Sequence, residues 1–224
     1  MNLRTALSAA VLLSALASPA LAQSNISAAN KYCWGENVGF INWRDAGGPV
    51  AAQGVRLSAT FLSGNAWGEN IGYINFGDGT PGNGAAYANP TSGPVPGIPD
   101  FGVNRDAISG NLSGFAWAEN VGWINFSGGA MATPPNAARF DNAAHRFRGY
   151  CWGENIGWIN LDDATIFVGG CPADYNGDGL LNVQDIFDFL AGWFSNDPSA
   201  DFNGVGGLGV QDIFDFLAAW FAGC

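Results

Sequence analysis

One motif of twelve residues occurs four times in this chain. The copies read YCWGENVGFINW (32–43), NAWGENIGYINF (65–76), FAWAENVGWINF (115–126) and YCWGENIGWINL (150–161), with Trp-to-Trp spacings of 33, 50 and 35 residues. Self-similarity of this kind implies stacked or ring-like repeats, because one such unit cannot bury its apolar face alone. Each copy reads as a β-hairpin. A small or aromatic residue plus Trp ends one strand, Glu-Asn-Val/Ile-Gly turns, and an aromatic-Ile-Asn-aromatic run returns. Asn and Gly tolerate the positive φ angles that such turns need. A single strand with a bulge at Asn-x-Gly is the alternative. Short strands with regular turn signals indicate an all-β body, and a sandwich, an incomplete propeller and a β-roll all remain open.

A further short strand and turn precede copies two to four, in residues 54–64, 101–114 and 138–149. Residues 77–100, rich in Gly and Pro, are expected to form a long surface loop, and 127–137 a shorter one. The Trp-Gly-Glu-Asn-x-Gly-Trp-Ile-Asn-Phe unit resembles repeats of bacterial secreted proteins, a resemblance that brings no activity with it.

All four glutamates of the chain, Glu36, Glu69, Glu119 and Glu154, lie in the motif, each followed by an asparagine. A carboxylate copied four times at equivalent positions reads as architecture, with the expected role of accepting backbone N–H bonds at the turn. Ligand or cation binding is the rival reading, and paired carboxylates for glycoside hydrolysis come behind it. The tryptophans Trp34, Trp67, Trp117 and Trp152 and their partners Phe40, Tyr73, Trp123 and Trp158 are expected mainly in the core, with about one ring per repeat exposed. The alternative is a set of sugar-stacking platforms. His145, the one histidine, has no nucleophile motif beside it and supports no triad.

The C-terminal quarter is of another kind. VQDIFDFLAGWF (183–194) and VQDIFDFLAAWF (210–221) are the same helix written twice, 27 residues apart. Ahead of the first lies Asp174-Tyr-Asn176-Gly-Asp178-Gly179-Leu180-Leu-Asn182-Val-Gln-Asp185. This is an EF-hand-type loop, with side-chain oxygens at alternate positions and Gly at the sharp turn. The expected Ca²⁺ ligands are Asp174, Asn176, Asp178, the Leu180 carbonyl, Asn182 and Asp185. The second loop keeps Asp201, Asn203, the Gly207 carbonyl and Asp212, but carries Val205 and Gly209 where the first has Asp178 and Asn182. Fewer charged ligands mean weaker affinity, so this site is expected to be weak or lost.

Two loop–helix units with no helix before the first loop, each loop closing in Asp, resemble a dockerin domain. The finer resemblance, over residues 171–224, is to the "GC-type" tails of secreted planctomycete proteins, which begin near a Cys-Pro and end in Gly-Cys; here these are Cys171-Pro172 and Gly223-Cys224. The resemblance implies a cohesin-like or other extracellular scaffold protein as partner, and an association with polysaccharide breakdown. It also implies that the duplicated faces bind either way round, with Gln184 and Gln211 as polar contacts and Phe187 and Phe214 as apolar anchors.

Residues 1–22 read as a secretory signal peptide, with Arg4, an apolar stretch and Ala20-Leu21-Ala22. No later stretch is long and apolar enough to span a membrane. The expected location is secreted or cell-surface. Four cysteines in an oxidising compartment imply disulfides. Of three connectivities, Cys33–Cys151 is favoured because both sit in Tyr-Cys-Trp-Gly-Glu-Asn, and Cys171–Cys224 because they bracket the dockerin-like unit. The formal charge is −11, and residues 171–224 hold eight Asp and no Lys, Arg or His. Such a surface suits a cation and excludes nucleic acid.

The fold expected is mainly β: a domain of repeated antiparallel hairpins (23–165), then a small α-helical calcium-loop domain (166–224). The function expected is non-catalytic, a β-repeat display or binding domain anchored through the tail. A carbohydrate-binding module, or a component of a polysaccharide-degrading system, is the alternative.

Overall fold

The computed structural model describes residues 24–46, 53–89, 100–142, 144–178 and 180–223. The expected signal peptide, the tip of the 77–100 insertion, Gly179 and Cys224 lie outside the described residues. In chain order the strands begin β1 (Ile26–Gly35), β2 (Gly39–Asn42), β3 (Arg56–Leu57), β4 (Leu62–Ser63), β5 (Asn65–Gly68) and β6 (Gly72–Asn75). They continue β7 (Val103–Arg105), β8 (Leu112–Ala118), β9 (Gly122–Asn125), β10 (Arg139–Asp141) and β11 (Arg146–Arg148). The body ends with β12 (Tyr150–Gly153), β13 (Gly157–Asn160) and β14 (Val168–Gly170), and the tail holds α1 (Val183–Phe194) and α2 (Val210–Ala222).

The four motif copies are the antiparallel pairs β1–β2, β5–β6, β8–β9 and β12–β13. Neighbouring copies pair in turn, β2 with β5, β6 with β8 and β9 with β12, and β13 returns to β1. The sheet therefore closes on itself as an eight-stranded antiparallel barrel, which is none of the three architectures the repeat pattern left open. Closure removes the unpaired edges that four short hairpins would otherwise expose.

The turn geometry explains the motif residue by residue. Val38, Ile71, Val121 and Ile156 donate N–H bonds to the carbonyls of Gly35, Gly68, Ala118 and Gly153, three residues earlier. The glycine that follows has φ of +79°, +76°, +85° and +75° in the four copies. Each loop is three residues long, and the left-handed glycine just after it opens the returning strand opposite Gly35, Gly68, Ala118 or Gly153, a conformation glycine adopts without strain. The asparagine does not take a positive φ, contrary to expectation. Its amide instead reaches the preceding hairpin of the ring: Asn37 Nδ2 donates to the Ile156 carbonyl, Asn70 to Val38, Asn120 to Ile71 and Asn155 to Val121, at 2.9–3.1 Å. Four equivalent bonds thus run around one rim of the barrel.

Eight strands leave an interior just wide enough to be filled by side chains. Ile41, Ile74, Ile124 and Ile159 point inward with Cys33, Ala66, Ala116 and Cys151, and Trp43, Phe76, Phe126 and Leu161 follow, all buried. At the rim, Val38, Ile71 and Ile156 fold over Gly35, Gly68 and Gly153, where a Cβ would meet them at 2.4–2.7 Å. The third copy has Ala118 at this position, and its Val121 is only partly buried. The extra methyl holds that side chain out.

The short strands ahead of the copies build a second tier. β3 pairs β4, β7 pairs β8, β10 pairs β11, and β11 and the start of β1 both pair β14. Asn25 joins the ends of this tier, its amide donating to the Leu57 carbonyl and its oxygen accepting the Leu57 N–H, both at 2.7 Å. Strand β14 lies beyond the expected domain boundary at 165/166 and carries the second tier to Gly170. The insertion is not simply a surface loop either: Tyr87 is buried against Phe61 and accepts the Gly79 N–H through its hydroxyl.

The tail has a separate core centred on Phe189, Ala200 and Phe216, with Tyr175, Trp193, Phe202 and Trp220 packed around it. Among the described residues no helix is long and apolar enough to cross a membrane.

Candidate functional site

The two loop–helix units of the tail share one set of hydrogen bonds. Asp185, buried at the third position of α1, accepts the N–H groups of Asn176 (3.4 Å) and Asn182 (2.8 Å). Asp212 accepts those of Asn203 (3.2 Å) and Gly209 (2.8 Å) in the second unit. Asn176 Nδ2 donates to Asp188 at 3.0 Å and Asn203 Nδ2 to Asp215 at 2.9 Å. Gln184 and Gln211 each donate to the same aspartates, at 2.8 Å. The units clasp each other: Trp193 Nε1 donates to the Gly209 carbonyl and Trp220 Nε1 to the Asn182 carbonyl.

Of the sequence-predicted ligands of the first loop, Asn176, Asp178 and Asn182 are gathered about Asp185. Asn176 Oδ1 accepts the Asp178 N–H, Asp178 Oδ1 accepts the Leu180 N–H, and the Leu180 carbonyl accepts from Asn182 Nδ2. Burial, together with the charge of Asp178, pushes the Asp185 carboxyl above the usual carboxylate range. A cation in the loop would relieve both. In the second unit Asp201 Oδ1 is buried without a hydrogen-bond partner, Val205 is exposed, and Gly209 gives its helix no side-chain cap of the kind Asn182 gives α1. Among the described residues no three His, Cys, Asp or Glu side chains form a metal cluster. Half of the expected first-loop ligands are amide or carbonyl oxygens, which a hard cation such as Ca²⁺ accepts.

Sequence reasoning missed the link to the barrel. Arg105 of β7, buried against the Phe140 ring, donates to the Gly177 carbonyl at 3.3 Å and to Asn142 at 2.6 Å. Burial lowers its pKa, and the nearby Asp174 carboxylate opposes the shift. No motif contains Arg105, so no pattern in the chain signals it.

The helices leave matching apolar residues in solvent. Phe187 and Phe214 are 60 % and 62 % exposed, with Val183 and Val210 one turn earlier on the same faces.

The barrel wall overturns the expected core placement of the tryptophans. Trp34–Phe40, Trp67–Tyr73, Trp117–Trp123 and Trp152–Trp158 are cross-strand pairs on its outer face, with ring centroids 4.6–4.9 Å apart. Alternation explains this: Cys33↔Ile41 faces in, so Trp34↔Phe40 faces out. The glutamates also depart from expectation. They are exposed, and among the described residues their carboxylates accept no backbone N–H.

Cys33 and Cys151 are free thiols rather than the expected disulfide, both buried. Burial pushes Cys33 up to about 12 and Cys151 well above its ordinary value, so neither is a nucleophile at neutral pH. Cys171 is not among the free thiols. His145 is half-buried beside the tail, and burial lowers its pKa against the pull of Asp141. Comparison with protein-family models, with curated proteins and with solved structures finds no match.

Proposed function

We propose that this chain is a secreted, non-catalytic protein that attaches through a calcium-binding, dockerin-like tail to a cohesin-like or other extracellular scaffold protein. The barrel is then the part displayed. The observation that carries the reading is the equivalence of the two exposed helix faces. Gln184, Phe187 and Asp188 on one have the same bonds and exposure as Gln211, Phe214 and Asp215 on the other. A surface duplicated and left in solvent suits a partner that docks in either orientation. Exposed aromatic anchors are the residues that usually carry interface energy.

Calcium's part is to hold the loops. Asp174, Asn176, Asp178, the Leu180 carbonyl, Asn182 and Asp185 would hold the ion, which neutralises carboxylates crowded at the start of α1. Cys171–Cys224 closes the module in this proposal; Cys224 lies outside the described residues.

The experiment is capture of the producing organism's envelope proteins on the immobilised full chain, in calcium and in chelator. We expect one species retained only in calcium. Phe187→Ala and Phe214→Ala should each weaken its capture slightly, and the double variant should abolish it. Calcium-independent capture, or capture that survives the double substitution, overturns the proposal.

A further inference from the structure

The barrel closes where β13 meets β1, and a cleft of about 450 Å³ lies on its outer wall at that seam. Trp34, Trp158 and Tyr150 supply aromatic surface, and Glu36, Asn136 and Asn160 supply polar groups. The 132–134 segment forms one wall. We propose that this cleft binds a neutral, β-linked glucopyranoside chain.

The chemistry of the lining selects that class. The rings are held edge to face, Trp158 against Trp152 at 4.7 Å and Trp34 against Phe40 at 4.9 Å, so the platform is set before any ligand arrives. A β-glucopyranoside has equatorial hydroxyls and flat C–H faces that stack on such rings. Among the described residues the Glu36 carboxylate makes no hydrogen bond. Asn160 uses its oxygen on the Asp162 N–H, leaving Nδ2 uncommitted. One free acceptor and one free donor beside aromatic faces match a hydroxyl, which both donates and accepts. The carboxylate disfavours uronic acids and other anions. The volume is within the range of roughly 300–1,000 Å³ usual for ligand sites.

The repeat symmetry supplies independent support. A second cleft, of about 250 Å³, lies between β6 and β8 and is lined by Tyr73, Trp117, Glu119, Asn65 and Asn75. These are the positions equivalent to Trp158, Trp34, Glu36, Tyr150 and Asn160. The junction between β9 and β12 is filled instead: Phe101 packs on Trp123 at 5.1 Å, and Gly128 lies so close to Trp152 that a Cβ there would meet its Cβ at 2.6 Å. The exposed glutamate therefore accompanies an open aromatic cleft at two of the junctions, and the larger one is the principal site.

The test is titration calorimetry of the full chain with cellohexaose and laminarihexaose, and with trigalacturonate as the acidic control. We expect saturable binding of at least one glucan and none of the galacturonate. Trp158→Ala should weaken it about tenfold or more, the loss typical of a central aromatic contact. Glu36→Gln, at an exposed position, should weaken it less and leave the fold intact by circular dichroism. Phe187→Ala, in the tail, should leave it unchanged, so the outcome is independent of the docking reading. Absence of heat with both glucans overturns the proposal. So does binding untouched by both Trp158→Ala and Glu36→Gln, or galacturonate binding as tight as glucan binding.

Discussion

Phe189 and Phe216 stack face to face at the centre of the tail, ring centroids 4.1 Å apart and planes within 2° of parallel. They occupy the same position in the two copies of one helix, so the stack lies on the axis that relates them. Tyr175 and Phe202 close it edge-on at 5.4 and 5.5 Å. Among the described residues no large apolar cluster lies behind these rings, because the tail core is separate from that of the barrel. The module therefore depends on this pair more than a large domain depends on any one contact.

Phe189→Ala should cost about 3–5 kcal/mol, the usual loss for a buried Phe. Helical signal at 222 nm should fall at a lower urea concentration than in the parent. The barrel transition, followed by aromatic ellipticity, should stay in place. A shift of both transitions together would mean that the two cores unfold as one.

The rim bonds make a second prediction. Each motif asparagine donates one amide bond to the preceding hairpin in the ring, so Asn120→Ala should cost about 0.5–1.5 kcal/mol. Asn120→Asp should cost more, because it sets a carboxylate against the Ile71 carbonyl. Urea unfolding checks both. Equal stability of Asn120→Asp and the parent would show that the ring adds nothing.

His145 sets a pH dependence. Its φ is +46°, a conformation that Asn also tolerates, and burial lowers its pKa. A base with a lowered folded pKa binds fewer protons folded than unfolded. Stability is then complete above the unfolded value of about 6.5 and is lost as pH falls from there through the lower folded value. Melting temperature should fall between pH 7.5 and 5.5, and His145→Asn should flatten that part of the curve. An unchanged slope in the variant would assign the loss to other groups.

The repeat made the all-β body legible, and the duplicated segment made both helices legible. The closed barrel was not, because closure depends on β13 finding β1, a pairing of residues more than a hundred positions apart. The tryptophans were misjudged for a physical reason. Composition marks them as core formers, but the inward positions on either side belong to Cys or Ala and Gly, and alternation turns the rings out. The asparagine was assigned to the turn's backbone geometry, whereas its side chain serves the neighbouring hairpin. The two loop–helix units were readable because the residues that organise each of them are local in sequence. Arg105, which ties the first loop to the barrel, was not, since only the fold brings it there.

The asymmetry of the two loops gives the last prediction. Both loops are organised by the same buried aspartate, Asp185 or Asp212, and the same amide bonds. They differ at the fifth and ninth positions, where the first has Asp178 and Asn182 and the second has Val205 and Gly209. Val205 is exposed, so an aspartate there meets no steric obstacle. Gly209 is in extended backbone with φ of −141°, which Asn adopts freely, as Asn182 does at −146°. Calorimetry of the full chain should show one dominant calcium site, and Asp178→Ala should weaken it on the order of tenfold or more, since affinity follows ligand charge. Calcium at about a hundred times its dissociation constant should stabilise the tail by about 2.7 kcal/mol, a gain that chelator removes. Val205→Asp with Gly209→Asn should create a second site of comparable affinity. Two equal sites in the parent chain would show that the loops do not differ in the way their ligands imply. No added site in the double variant would show that carboxylate count is not what separates them.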